Sequence, residues 1–497
     1  MEFSYLSTII FLPAVGAIII AFVPNLTQRL IRYLAALFTL IPLALSIFLF
    51  FVFDRSMGLA GAVQFEEKLA WIGAINANYH LGVDGLSLPL VILMALLGFL
   101  VVLISWKIDL RLREYFAWLL LLETSILGVF CALDLLLFFL FWEIEIIPMF
   151  FLISIWGSGR KEYSAMKYVV YTLLGSAMML AGILSLYFTT GSLSMVDIAQ
   201  AGIGSYTAVI PLAAIFFLLF TGFAVKLPVF PLHNWLPDAH TDAPTAVSVV
   251  LAGALLKMGG YGMIRLCVTI FPDIARTYAP LLVALAVVSV LYGAAVTLRQ
   301  KDIKRMIAYS SISHMGYVLL GIFALSQVSL VGASLQMFSH GFITGLLFAM
   351  AGLVIHNAGE RDLAKFGGLV RQMPVIAVVF SVAGLAALGL PSTSGFAAEF
   401  LVFVGSFSST AVAGIQVYTI LAVLGIVITV GYILWMLQRV FYGPALEKFN
   451  GTRDADTLEK VTIFTFVAVI MLVGIYPAIL TDIIKTGIVP VMSLLGG

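Results

Sequence analysis

The sequence predicts an all-α polytopic membrane protein of fourteen transmembrane helices, with two inverted five-helix repeats. Three observations predict it. Of the 497 residues 62% are apolar and only 10% charged, where a soluble domain carries about 25% charged residues. The apolar residues fall in runs of about 20, the length that crosses a bilayer core of about 30 Å. Two of these runs are interrupted by helix breakers at positions five spans apart, the mark of paired repeats around an ion site.

Taken in order, the runs lie at 4–23, 31–53, 86–106, 115–132, 135–156, 168–189, 208–230, 245–271, 279–298, 307–325, 330–356, 375–408, 413–441 and 461–483. They lack polar alternation, so they read as helices and not as barrel strands. The first run has no basic segment before it and no small-residue cleavage site after it, and reads as a retained span. Between spans only residues 54–85 leave room for further structure, and no soluble domain fits. The chain is thus one membrane domain, 1–497. Spans 1–3 occupy 4–106, repeat one (spans 4–8) 115–271, repeat two (spans 9–13) 279–441, and span 14 is 461–483.

The seventh run contains VKLPVFPLHNW, with Pro228 and Pro231 just after Lys226. The twelfth contains LPSTSGFAAEF, with Pro391 and Gly395 before Glu399. Proline removes a backbone donor and clashes with the preceding turn, so helices 7 and 12 should break there. Nineteen of the 26 basic residues fall in the odd-numbered connections, Lys226 and Lys257 lie inside spans, and only five, Arg265 among them, fall in even-numbered connections or near the ends. The positive-inside bias then puts both termini on the outer, periplasmic side.

Composition also excludes functions. A net charge of +1 offers no basic stripe for nucleic acid. Cys131 and Cys267 lie in apolar runs and cannot frame disulfides, zinc or an iron–sulfur cluster. No phosphate loop, dinucleotide fingerprint or haem-ligand pair is present, so no cofactor or redox chemistry is expected in this chain. His233, Asp238, His240 and Asp242 cluster in HNWLPDAHTDAPT. Their spacing matches no compact ligand pair, no metal is expected, and the segment should cap the eighth helix and hydrogen-bond its own loop.

Ionisable side chains within the spans are the functional signal, because a charge at mid-bilayer costs about 2.5–3.5 kcal/mol on the insertion scale. Glu123, Glu143, Glu145 and Glu399 stand there, with Lys226, Lys257, His314 and His340. Glu143 lies about eight residues into its helix and Lys257 about twelve, both near the midplane at about 1.5 Å per residue. Acids and bases at one depth across several helices describe a horizontal proton chain. Glu143 and Glu145 are about 200° apart around a helix and cannot share one partner. Glu123 and Glu145 read equally as structural acids, and His314 and His340 as hydrogen-bonded core residues. Lys226, Lys257 and Glu143 are harder to explain that way, since a buried ion pair adds little stability over apolar residues.

The strings YHLGVDGLSLPLV, LLLFFLFWEIEIIPMFFLISIWG, FAVKLPVFPLHNWLPDAHTDAPTAVSVVLAGALLKMGGYGMIR, KDIKRMIAYSSISHMGY and LPSTSGFAAEFLVF together resemble the antiporter-like subunits of proton-pumping NADH:quinone oxidoreductase (complex I). The match runs over essentially the whole chain. The resemblance implies the fourteen-helix fold with inverted repeats. It makes Glu143 and Lys226 the buried pair, Lys257 the central lysine, His340 a relay histidine and Glu399 the acid on the broken twelfth helix. Sister chains of the L and N type and the large Mrp subunits carry lysine where Glu399 stands, and chain L adds a long lateral helix. Both features place the resemblance with the M, or chain 4, branch. NADH or another donor, FMN, iron–sulfur clusters and quinone would then belong to other subunits of the complex. Chains of L and N type would flank this one, in a bacterial plasma membrane or an organelle inner or thylakoid membrane. Glu145, where many relatives are neutral and plastid-type relatives acidic, leaves the electron donor open. A subunit of an Mrp-type sodium/proton antiporter is the alternative.

Overall fold

The computed structural model describes residues 3–496 and is mostly helical. Among the described residues, twelve helices are long and apolar enough to cross a membrane. They fall on the first six expected runs, on the eighth to eleventh, and on the thirteenth and fourteenth. The seventh and twelfth runs are not continuous helices. Leu212–Lys226 stops at the lysine, and after Pro228 and Pro231 the chain re-forms as the short helix Trp235–Asp242. Pro374–Ala387 and Ser394–Phe407 are separated by a segment with Gly389 and Ser392 at positive φ and Pro391 between them.

The helices nest around three that are almost wholly enclosed: Thr245–Val268, Ile303–Phe323 and Gln327–Ala358. Tyr5–Phe22, Gln28–Val52 and Thr457–Ile475 lie at the periphery. Polar residues on the enclosed helices therefore meet protein and not lipid. Small residues set the closeness of the central crossing. A Cβ on Gly341 would lie 2.7 Å from the carbonyl oxygen of Gly253, so the Gln327–Ala358 and Thr245–Val268 backbones touch at this pair. Gly259 similarly seats the second of these helices on Leu227 and Phe223, at the end of Leu212–Lys226.

Four details depart from the expectations. Residues 54–85 hold a short helix, Arg55–Leu59, and an antiparallel hairpin, Gln64–Ile72 with Ala77–Val83, so the chain is not all α. The hairpin is tied to the first helix by Glu67, whose carboxylate accepts the Leu6 amide at 2.8 Å and caps the helix start. The fourteenth helix ends at Ile475 and not near 483, because Pro477 interrupts it. A further helix, Ala478–Leu494, then packs against Arg55–Leu59 and Gln327–Ala358. Finally, Thr245–Val268 contains two π segments, Leu251–Leu255 and Met263–Val268, and Arg265 lies inside the second instead of in a loop.

Candidate functional site

The site begins where the seventh run breaks. Lys226 is the last residue of its helix, where carbonyls without intrahelical partners favour a cation. Its ammonium is buried and bonds the Glu145 carboxylate. The Tyr168 hydroxyl lies 3.2 Å from the ammonium and donates to the other carboxylate oxygen of Glu145. The rings of Tyr168 and Trp142 face the ammonium with centroids at 5.1 and 5.7 Å.

This corrects the expected pairing of Lys226 with Glu143. The chain turns at Glu145, the junction between Leu135–Ile144 and Ile146–Trp156, and that turn aims Glu145 inward. Glu143 is half-buried and forms no ion pair with Lys226, and its Oε1 lacks a hydrogen-bond partner among the described residues. The acid bonded to the lysine is the second of the two and not the first.

The next group lies across the Gly253–Gly341 crossing. Lys257 Nζ stands 2.8 Å from His340 Nδ1 and also donates to the Ala252 carbonyl. That carbonyl lies five residues back, in the π segment, where widened backbone spacing leaves an oxygen for a side chain. Leu227, which follows Lys226 in the chain, packs on the Lys257 helix at Gly259 and Gly260, its side chain 3.5 Å from a Cβ placed on Gly260.

From His340 the polar contacts run on into the second repeat. The His340 and His314 rings are 5.6 Å apart. His314 Nδ1 is 3.1 Å from Glu399 Oε1, and Gln336 Nε2 donates to the same oxygen at 3.4 Å. Glu399 is buried on Ser394–Phe407, one and a half turns past the break. A cavity of about 10 Å³ lies between Ser310, His314, Gln336, His340 and Glu399, room for about one water. The outer nitrogens of both histidines, and Gln336 Oε1, are buried without partners among the described residues. Such atoms suit bridging water. Lys257, His340, His314 and Glu399 thus form one connected group.

The remaining candidates stand apart from this group. Glu123 is buried against Gly98 on the third helix. His240 stacks on Phe348 at 4.5 Å, and His233 lies against Phe230 and Tyr292. Neither histidine has a hydrogen-bond partner at its ring nitrogens among the described residues. His233 lies in the turn before the helix Trp235–Asp242, and His240 lies on that helix, which replaces the expected irregular cap. Asp238 pairs with Lys167 and Arg305, and Asp242 accepts from Ser164 instead of capping the next helix. Sequence reading missed Tyr168 and Gln336, which bind the two carboxylates of the site. Nothing in an apolar run distinguishes a tyrosine with a buried hydroxyl bond from one that only packs.

Comparisons with known proteins identify the family to which this fold belongs. Residues 132–428 match the family model described as NADH:quinone oxidoreductase/Mrp antiporter, transmembrane. The chain is 40% identical to NADH-quinone oxidoreductase subunit M of Rhodobacter capsulatus over 494 residues, 96% of this chain and 94% of that one. It is 40% identical to NAD(P)H-quinone oxidoreductase chain 4 of Synechococcus elongatus over 485 residues, 97% of this chain and 90% of that one. A chain of respiratory complex I from Thermus thermophilus superposes with a TM-score of 0.87 at 27% identity, covering 99% of this chain and 100% of that chain. With its apolar helices the protein is an integral, multi-pass membrane protein. It belongs to the NADH:quinone oxidoreductase/Mrp antiporter transmembrane family.

Proposed function

We propose that the chain is a proton-translocating subunit in the membrane arm of a complex I-type quinone oxidoreductase. The observation that carries this is the buried group Lys257–His340–His314–Glu399, whose members touch one another in the protein interior. The 40% identity to subunit M and chain 4 relatives supports it. In this reading the broken pairs of helices are the seventh and twelfth spans, giving fourteen spans in two inverted repeats. Subunits of L and N type flank the chain, the termini face the outer side, and the membrane is a bacterial plasma membrane. NADH or another donor is oxidised in other subunits, which also hold the FMN, iron–sulfur clusters and quinone.

Moving one proton against about 150–200 mV costs about 3.5–4.6 kcal/mol. One pKa unit corresponds to about 1.36 kcal/mol, so swings of about three units suffice. Opening the Glu145–Lys226 pair supplies a swing of the right sign. The carboxylate favours the charged lysine, and an unpaired ammonium in low dielectric favours loss of its proton. The proton then passes beyond Leu227 to Lys257, on through His340 and His314, and reaches Glu399. Glu399 is the terminal site. An acid there is neutral when loaded, so positive charge arriving on His314 favours release of its proton.

His314 is the test of this continuity, because it is the titratable side chain that meets Glu399 directly and also faces the His340 ring. In the assembled complex His314→Ala should lower the proton-to-electron ratio while donor oxidation continues. A wild-type ratio would show that protons do not need this bridge. The Mrp-type reading separates by composition: a complex purified on this chain should contain redox subunits, and antiporter subunits alone would favour the alternative.

A further inference from the structure

We infer that Arg265 is an electrostatic barrier to protons at one end of the helix that carries Lys257, and that Asp84 anchors it. This deepens the relay reading and rests on it.

A cavity of about 250 Å³ opens on the face shared by Arg55–Leu59 and the C-terminal helix Ala478–Leu494. Its rim includes the exposed residues Gly61, Gln200 and Ser493, and its lining includes Asp84, Arg265 and Thr269. That volume holds several waters. The Arg265 and Asp84 side chains are about 15% exposed, and the guanidinium meets Asp84 Oδ2 at 2.7 Å. The other Asp84 oxygen accepts the Leu86 and Ser87 amides, both at 3.0 Å. One oxygen thus caps the start of Ser87–Ile104 while the other holds the arginine, so the anchor is fixed by the backbone.

On its inner side, toward Lys257, Arg265 is held by Tyr261. Its Nε donates to the Tyr261 hydroxyl at 3.2 Å, and its charged carbon lies 5.3 Å from the Tyr261 ring centre. The Tyr261 hydroxyl donates in turn to the Phe130 carbonyl at 3.3 Å. Lys257, Tyr261 and Arg265 follow at intervals of four residues, about 6 Å each along the helix axis. Water in the cavity therefore reaches Arg265, about two turns along the helix from Lys257, and Tyr261 stands in the interval.

The residue type matches the task. A guanidinium keeps its proton and cannot relay one, unlike the lysines at 226 and 257. A fixed positive charge in a narrow polar passage repels an excess proton without excluding water. The relay would otherwise be short-circuited from this face, because Lys257 would exchange protons with the cavity out of step with the pump cycle.

The test uses the assembled complex in sealed vesicles, without electron donor. A potassium diffusion potential drives protons, and an internal pH dye reports them. Arg265→Gln should raise passive proton permeability about tenfold over wild type. Arg265→Lys keeps the charge and the pair with Asp84 but can give up its proton; it should raise permeability about threefold, and it serves if the glutamine variant fails to assemble. In the double variant with Lys257→Ala the excess should disappear. Vesicles as tight as wild type for the variants that assemble would overturn the barrier. An excess that survives Lys257→Ala would overturn its connection to the relay. The relay reading fails separately, if Lys257→Ala alone pumps at the wild-type ratio.

Discussion

Lys226 is held by a carboxylate, a phenol and two aromatic faces, all in a site closed to solvent. Removing one partner of such a pair leaves a buried charge and costs about 3–5 kcal/mol, whereas replacing both with apolar groups is often neutral. Glu145→Gln should therefore lower both the thermal midpoint of the complex and its proton-to-electron ratio. Adding Lys226→Met should restore the midpoint and leave the ratio low. Glu143→Gln, which breaks no ion pair in this structure, should leave the midpoint unchanged. Melting curves and proton ratios on the three variants check this. An equal loss of stability in Glu143→Gln would return the pairing to the first acid. The family resemblance singled out Glu143, and it is the helix junction at Glu145 that decides otherwise. A junction between two short helices inside one apolar run leaves no trace in hydropathy, which is why the choice was not legible from residues alone.

At the scale of elements, one helix crossing sets the Lys257–His340 distance. Gly253 stands one turn before the lysine and Gly341 is next to the histidine, so backbone contact between the glycines brings the two side chains together. Gly341→Ala puts a methyl carbon 2.7 Å from a backbone oxygen that cannot rotate away. Overpacking of this kind costs about 1–3 kcal/mol, and the shift needed to relieve it lengthens the proton step. The variant should pump less although it alters no charge. Gly431→Ala is the control, since nothing lies within 4 Å of a Cβ there, and it should pump normally. A normal proton ratio in Gly341→Ala would mean that the crossing does not govern the transfer. Helix breaks were legible because proline carries its own signal, and Pro228, Pro231 and Pro391 all lie in interruptions. The π segments around Lys257 were not legible, because no residue type announces a widened turn. The hairpin at 64–83 lay in the one connection long enough to hold it.

Across the whole molecule, the enclosed helices are those that carry Lys257, His314 and His340, and the lipid-facing ones are nearly free of buried charge. Composition alone established the membrane class, and the ionisable residues that prove to be buried were found by their cost in lipid. What sequence could not supply was adjacency: His314 read equally as a proton-site candidate and as a core histidine, and it meets Glu399, while Glu123, His233 and His240 make no hydrogen bond to the connected group among the described residues. The central claim is that buried side chains hand protons on, and do not merely shape the field. Lys257→Arg separates the two, because arginine keeps the positive charge but does not release a proton. The proton-to-electron ratio of the assembled Lys257→Arg complex should fall as far as that of Lys257→Ala; a ratio equal to wild type would contradict the relay and leave Lys257 an electrostatic role only.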